Sequence, residues 1–101
     1  MSYVYQYHNV NDSGKRSVWN KGQTVAGKDP DVWRKDVCGA LMRYSDHGNV
    51  NSQYGWEIDH IQPSSKGGSD DLSNLQPLHW ENNRGKADDW PNWNCTKNST
   101  T

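Results

Sequence analysis

The sequence predicts a small α+β fold built on one strand, loop, strand and helix unit. Three observations predict it. Residues 54–59, Tyr54-Gly55-Trp56-Glu57-Ile58-Asp59, alternate large apolar side chains with small or charged ones, the pattern of a half-buried strand. Residues 62–73 are rich in turn formers (Pro63, Ser64, Ser65, Gly67, Gly68, Ser69) and read as a long loop. Leu75-Gln76-Pro77-Leu78 then reads as a short extended segment, which its proline assigns to a sheet edge, and residues 79–86 tolerate helix with Gly85 as the weak point.

The elements before this unit are less regular. Residues 1–17 suggest a short strand over 3–7, followed by a loop through Asp12-Ser13-Gly14-Lys15-Arg16. Residues 18–28 read as irregular. Asp29-Pro30-Asp31-Val32-Trp33-Arg34 has the form of a helix start, with Asp29 as cap and Pro30 in the first position. That helix is expected to end at Cys38-Gly39. Residues 40–44 fit strand or helix equally, and Asp46-His47-Gly48-Asn49 reads as a turn. The expected organisation is an extension over 1–28, a domain over 29–88 with its core at 54–87, and a polar tail over 89–101 whose Trp90 and Trp93 fold back.

The 101 residues suffice for one small domain. Hydrophobic residues are only 31% and Phe is absent, so the six Trp and five Tyr must supply most of the large buried surface. Trp19, Trp33 and Trp56 are expected in the core, and His8 and His47 on the surface. A core this thin would gain from a bound metal. Met1-Ser2-Tyr3-Val4-Tyr5 is not followed by an apolar run, and no stretch approaches the roughly 20 apolar residues that span a bilayer. The expectation is a soluble cytoplasmic protein with no membrane partner. Cys38 and Cys95 form no CxxC pair, which excludes a four-cysteine zinc site. Their pairing is left open, with reduced thiols as the expectation. The formal net charge of −1 is not that of a typical nucleic-acid binder, although a bound cation would add positive charge that a sequence count omits.

The chemistry concentrates in residues 59–86. Asp59 and His60 are adjacent on the expected strand, so their side chains point to opposite faces and can serve different tasks. A carboxylate is a hard ligand for a divalent cation, and an imidazole can take a proton from water. Metal-assisted phosphodiester hydrolysis needs both. Asn83 and Lys86 share one helix face, with His79 near it. The Asn83 amide oxygen can complete a cation site with Asp59, while Arg84 and Lys86 can hold phosphates. The Asn74 amide donates and accepts at once, which suits it to fastening a loop.

Four separated blocks carry a resemblance. They are Trp56-Glu57-Ile58-Asp59-His60-Ile61-Gln62-Pro63, Gly67-Gly68-Ser69-Asp70, Leu72-Ser73-Asn74-Leu75-Gln76-Pro77-Leu78, and Asn82-Asn83-Arg84-Gly85-Lys86. In order and spacing they resemble the HNH endonuclease family, over about a third of the chain. The resemblance implies a ββα-metal (His-Me finger) core of two antiparallel strands and a helix around one divalent ion. By position it implies His60 as general base, Asp59 and Asn83 as metal ligands, and Asn74 as the residue that orders the loop and orients the histidine. Many family members hold a structural zinc through CxxC pairs. Here the matching positions read His79 and Asn82, so that zinc is not expected. Asn83 in place of a third-position histidine leaves two oxygen ligands, which favours Mg²⁺ or Mn²⁺.

The implied function is a metal-dependent DNA endonuclease that nicks one strand per active site. The sequence leaves open a monomer or a homodimer. It also leaves two alternatives: a non-catalytic, metal-stabilised DNA- or protein-binding module, and a secreted toxin nuclease.

Overall fold

A computed structural model describes residues 4–99. The chain runs α1 (Asp12–Trp19), β1 (Trp33–Lys35), β2 (Leu41–Arg43), β3 (Trp56–His60), β4 (Leu75–His79) and α2 (Trp80–Lys86). Strands β1 and β2 form one antiparallel sheet, and β3 and β4 a second. The described residues therefore make a small mixed α/β fold of two helices and two two-stranded sheets.

Helix α1 replaces the loop expected around Asp12–Arg16. Asn11 caps it, its Oδ1 accepting from Gly14 N at 2.8 Å. Asp12 in the first turn and Arg16 in the last complement the helix dipole. Ser13 and Gly14 are poor helix formers, so the local signal is weak. Burial of Val18 and Trp19 at the far end holds the helix in place. The strand expected near 3–7 is not formed: residues 6–9 are a turn, and Tyr3 lies outside the described residues.

The helix expected from Asp29 is also absent. Asp29 does cap, accepting Asp31 N on Oδ1 at 2.9 Å, but the turn does not propagate. Trp33–Lys35 instead pairs with Leu41–Arg43 in the register Trp33↔Arg43, which also settles 41–43 as strand. The hairpin is closed by Asp36, whose Oδ1 accepts from Cys38 N and Ala40 N, and by Gly39 at φ +85°.

The second sheet follows the expected order. Its register runs from Trp56↔His79 to His60↔Leu75. Residues 61–74 connect the strands through two short 3-10 turns. Pro77 lies opposite Ile58, tolerated because each strand of a two-stranded sheet is an edge.

Val18, Trp19, Met42, Trp56, Ile58 and Leu75 form the core, with Tyr5, Tyr7, Val10 and Tyr44 packed on it. Trp19 and Trp56 meet at 5.0 Å between ring centroids. The aromatic core expected from composition is thus centred on these two. Trp33 is only half-buried, against Tyr54, and Trp90 is 40% exposed rather than folded back.

Beyond α2 the chain returns across the helix. Asn82 Oδ1 accepts from Thr96 N and Lys97 N, and its Nδ2 donates to Asp36 Oδ2 and Lys97 O. This return brings Cys95 to Cys38, and the two form a disulfide with Cα atoms 5.9 Å apart. Reduced thiols were the expectation; a tail folded onto α2 is what places the sulfurs in reach.

Candidate active site

Strand β3 sorts its side chains by alternation. Trp56 and Ile58 enter the aromatic core, and His60 on the same face meets Tyr7. Glu57 and Asp59 face α2. A single strand thus presents an imidazole on one side and two carboxylates on the other.

The face toward α2 is a buried ionic layer. Glu57 is 1% exposed, and its Oε1 accepts from Asn83 Nδ2 at 2.9 Å. Arg84 Nη2 donates to Glu57 Oε2 at 3.1 Å. Asp59 Oδ2 accepts from Gln76 Nε2 at 3.0 Å. Lys86 Nζ donates to Asp59 Oδ1 at 3.3 Å and to the His60 carbonyl at 2.9 Å. Burial raises the Asp59 carboxyl above its ordinary value, against the opposing pull of Gln76, Lys86 and His60.

On the other face, His60 Nε2 lies 2.7 Å from Asp70 Oδ1 and 3.1 Å from the Tyr7 hydroxyl. Burial and the Asp70 charge raise the Tyr7 phenol above its ordinary value, so it keeps its proton. Behind Asp70, Asn74 ties the loop to the strand end. Its Oδ1 accepts from Gln62 N at 2.9 Å, and its Nδ2 donates to Gln62 O at 3.0 Å and Ser69 O at 2.7 Å. Gly68 passes so close that a Cβ there would lie 1.7 Å from Gln62 O.

Asp59, His60, Asn83 and Arg84 converge on one open cavity of about 250 Å³, with Tyr7 and Ser64 in its wall. Three of the singled-out residues do not line it: Asn74, which fastens the loop behind Asp70, and Lys86 and His79. Lys86, expected to hold phosphate, is 1% exposed beneath the cavity, because burial of Asp59 demands a cation at that point. His79, considered for the surroundings of the centre, sits at the opposite end of the hairpin, opposite Trp56. There its Nδ1 accepts from Glu81 N and caps α2, and its Nε2 meets Gln53 O at 2.7 Å. Burial lowers its pKa, consistent with a neutral ring whose Nδ1 must stay unprotonated to cap. The surface role expected for His47 is also corrected. It is half-buried against Trp56 at 4.9 Å and bonded to the Tyr5 hydroxyl.

Three contributors were not singled out from sequence. Glu57 could have been, since it lies two residues from Asp59 on a strand and must share its face. Asp70 reaches His60 from 10 residues away and lies in the Gly67-Gly68-Ser69-Asp70 block without an assigned role, while Tyr7 reaches it from 53 residues away and no local signal marks it.

The donor set also bears on a cation. Among the described residues no group of three or more His, Cys, Asp or Glu side chains could hold a metal. Asp59 and Asn83 supply a carboxylate and an amide that line the same cavity. Two hard oxygens fit a divalent ion that keeps most of its waters. Glu57, accepting from Nδ2, sets which end of the Asn83 amide is nitrogen and so turns its oxygen the other way.

Compared with known families, residues 37–89 match the model of the HNH endonuclease family, just over half of the chain. No curated protein and no solved structure matches it.

Proposed function

Because the chain belongs to the HNH endonuclease family, we propose that it is a metal-dependent DNA endonuclease with its ββα-metal core in β3, β4 and α2. The observation that carries this reading is the convergence of Asp59, His60 and Asn83 on one cavity. Asp59 and Asn83 would hold one divalent ion, Mg²⁺ or Mn²⁺. When bound, it would neutralise charge on the scissile phosphate and the leaving 3′ oxygen. His60 takes a proton from the attacking water, from the face of β3 opposite Asp59. Arg84, lining the cavity while bound to Glu57, contacts phosphate. Asn74 holds the loop that carries Asp70 beside His60. The products are a 5′ phosphate and a 3′ hydroxyl, and one centre cuts one strand.

The test is nicking of supercoiled plasmid with added Mg²⁺ or Mn²⁺. His60→Ala is expected to abolish nicking; unchanged nicking removes His60 from the mechanism. Retained metal affinity in the Asp59→Ala, Asn83→Ala double variant removes the ligand assignment.

A second reading has one observation in its favour. Lys86 forms a buried ion pair with Asp59 and compensates its charge. In that reading the chain is a binding module on the same scaffold. Absence of cleavage on varied DNA substrates, with DNA binding retained, would support it.

A further inference from the structure

His60 is held through one ring atom. Asp70 Oδ1 at 2.7 Å and the Tyr7 hydroxyl at 3.1 Å both meet Nε2. Nδ1 has no hydrogen-bond partner among the described residues. A carboxylate carries no hydrogen to give, so an approach of 2.7 Å requires the hydrogen on Nε2. A neutral imidazole has a single N–H, which leaves the lone pair on Nδ1.

The Asp70 side chain is 80% exposed, and it is the chain segments carrying the two oxygens that are anchored. Two residues before Tyr7, the Tyr5 hydroxyl accepts from Ile58 N and bonds His47 Nε2 at 2.8 Å. The Tyr7 ring lies against His60 at 5.6 Å between centroids. Asp70 follows Ser69, whose carbonyl accepts from Asn74 Nδ2. Two chain segments distant in sequence thus converge on one nitrogen, and Tyr7 lies outside the family-matched residues 37–89.

We propose that Tyr7 and Asp70 are positioning residues that clamp Nε2 of His60 and so make Nδ1 the atom that accepts the proton from the attacking water. The proposal rests on the reading of His60 as general base. The water O–H bond breaks and its proton goes to Nδ1. The water oxygen bonds to phosphorus, the P–O3′ bond breaks, and O3′ takes a proton from solvent. Through the step Nε2–H keeps facing the Asp70 carboxylate, which stabilises the ring once it is positively charged. The arrangement ties residues 4–10 into the catalytic unit, although they precede the family-matched segment.

The test has two arms on the full chain. In ¹⁵N-histidine-labelled protein without metal or DNA, long-range ¹H–¹⁵N correlations report the His60 tautomer, identified by the signals lost in His60→Ala. The Nε2–H form is expected, with a mixture in the Tyr7→Phe, Asp70→Ala double variant. An Nδ1–H form in the unaltered protein overturns the clamp. In plasmid nicking with Mn²⁺, Tyr7→Phe and Asp70→Ala are each expected to lower kcat by about 10-fold or more, with KM within about twofold. Asp70→Asn, which keeps an acceptor, should lose less than Asp70→Ala. Full kcat in Tyr7→Phe and Asp70→Ala, beside an inactive His60→Ala, overturns the clamp and leaves the base assignment standing. An active His60→Ala overturns the base assignment instead, and the proton-acceptor role of Nδ1 with it.

Discussion

Lys86 and Asp59 form an ion pair inside the protein, Nζ 3.3 Å from Oδ1, with side chains 1% and 6% exposed. The same ammonium holds the His60 carbonyl. One lysine at the end of α2 therefore fixes both the carboxylate and the backbone that carries the imidazole.

Removing one partner of a buried pair leaves the other charged and uncompensated. Lys86→Ala is expected to cost about 3 kcal/mol or more of stability, read from urea unfolding. A cost below about 1 kcal/mol with weakened DNA binding would instead return Lys86 to a phosphate-contacting role.

Glu57 orients Asn83 through its Nδ2 and holds Arg84. Glu57→Gln keeps the shape but ends the unambiguous acceptor. Affinity for Mn²⁺ by calorimetry is expected to fall about 10-fold. Unchanged affinity would confine Glu57 to a structural part.

A Cβ at residue 68 would meet Gln62 O at 1.7 Å and Asn74 Nδ2 at 2.9 Å. Gly68→Ala must therefore open the loop that Asn74 fastens. The expected cost is about 1–3 kcal/mol, with nicking reduced alongside. Wild-type stability and activity together would show that the loop yields freely.

Burial chiefly, helped by Lys15 and His8, lowers the His47 pKa from 6.5 to about 4. The folded state favours the neutral ring, so the unfolded state binds more protons between these values. Stability is then fully present above pH 6.5 and falls as pH drops towards about 4. Melting temperatures across that window should fall less steeply in His47→Gln than in the unaltered protein.

The Cys38–Cys95 bridge closes a sequence separation of 57 residues. Chain entropy alone gives such a loop about 4 kcal/mol of stabilisation. A reductant is expected to lower the melting temperature, and a Cys38→Ser, Cys95→Ser variant should no longer respond to it.

What the sequence by itself determined is the part whose signals are local. Alternation over 54–59, turn formers over 62–73 and the helix-tolerant run after Leu78 each encode an element type within a few residues, and β3, β4 and α2 follow that order. Alternation by itself also places Asp59 and His60 on opposite faces. Helix α1 and the β1–β2 hairpin were not legible in this way. Their local signals are weak or misleading, and burial of Trp19 and cross-strand pairing override them. The tertiary structure alone decided which charges are buried. Lys86 sits within a Asn82-Asn83-Arg84-Gly85-Lys86 run that offers two cations for phosphate, and only the packing of α2 on β3 shows that Asp59 takes one of them. It alone brought Tyr7 to His60 and Cys95 to Cys38. Contacts across 53 and 57 residues leave no periodicity in a chain, because they exist only once the segments between them have folded.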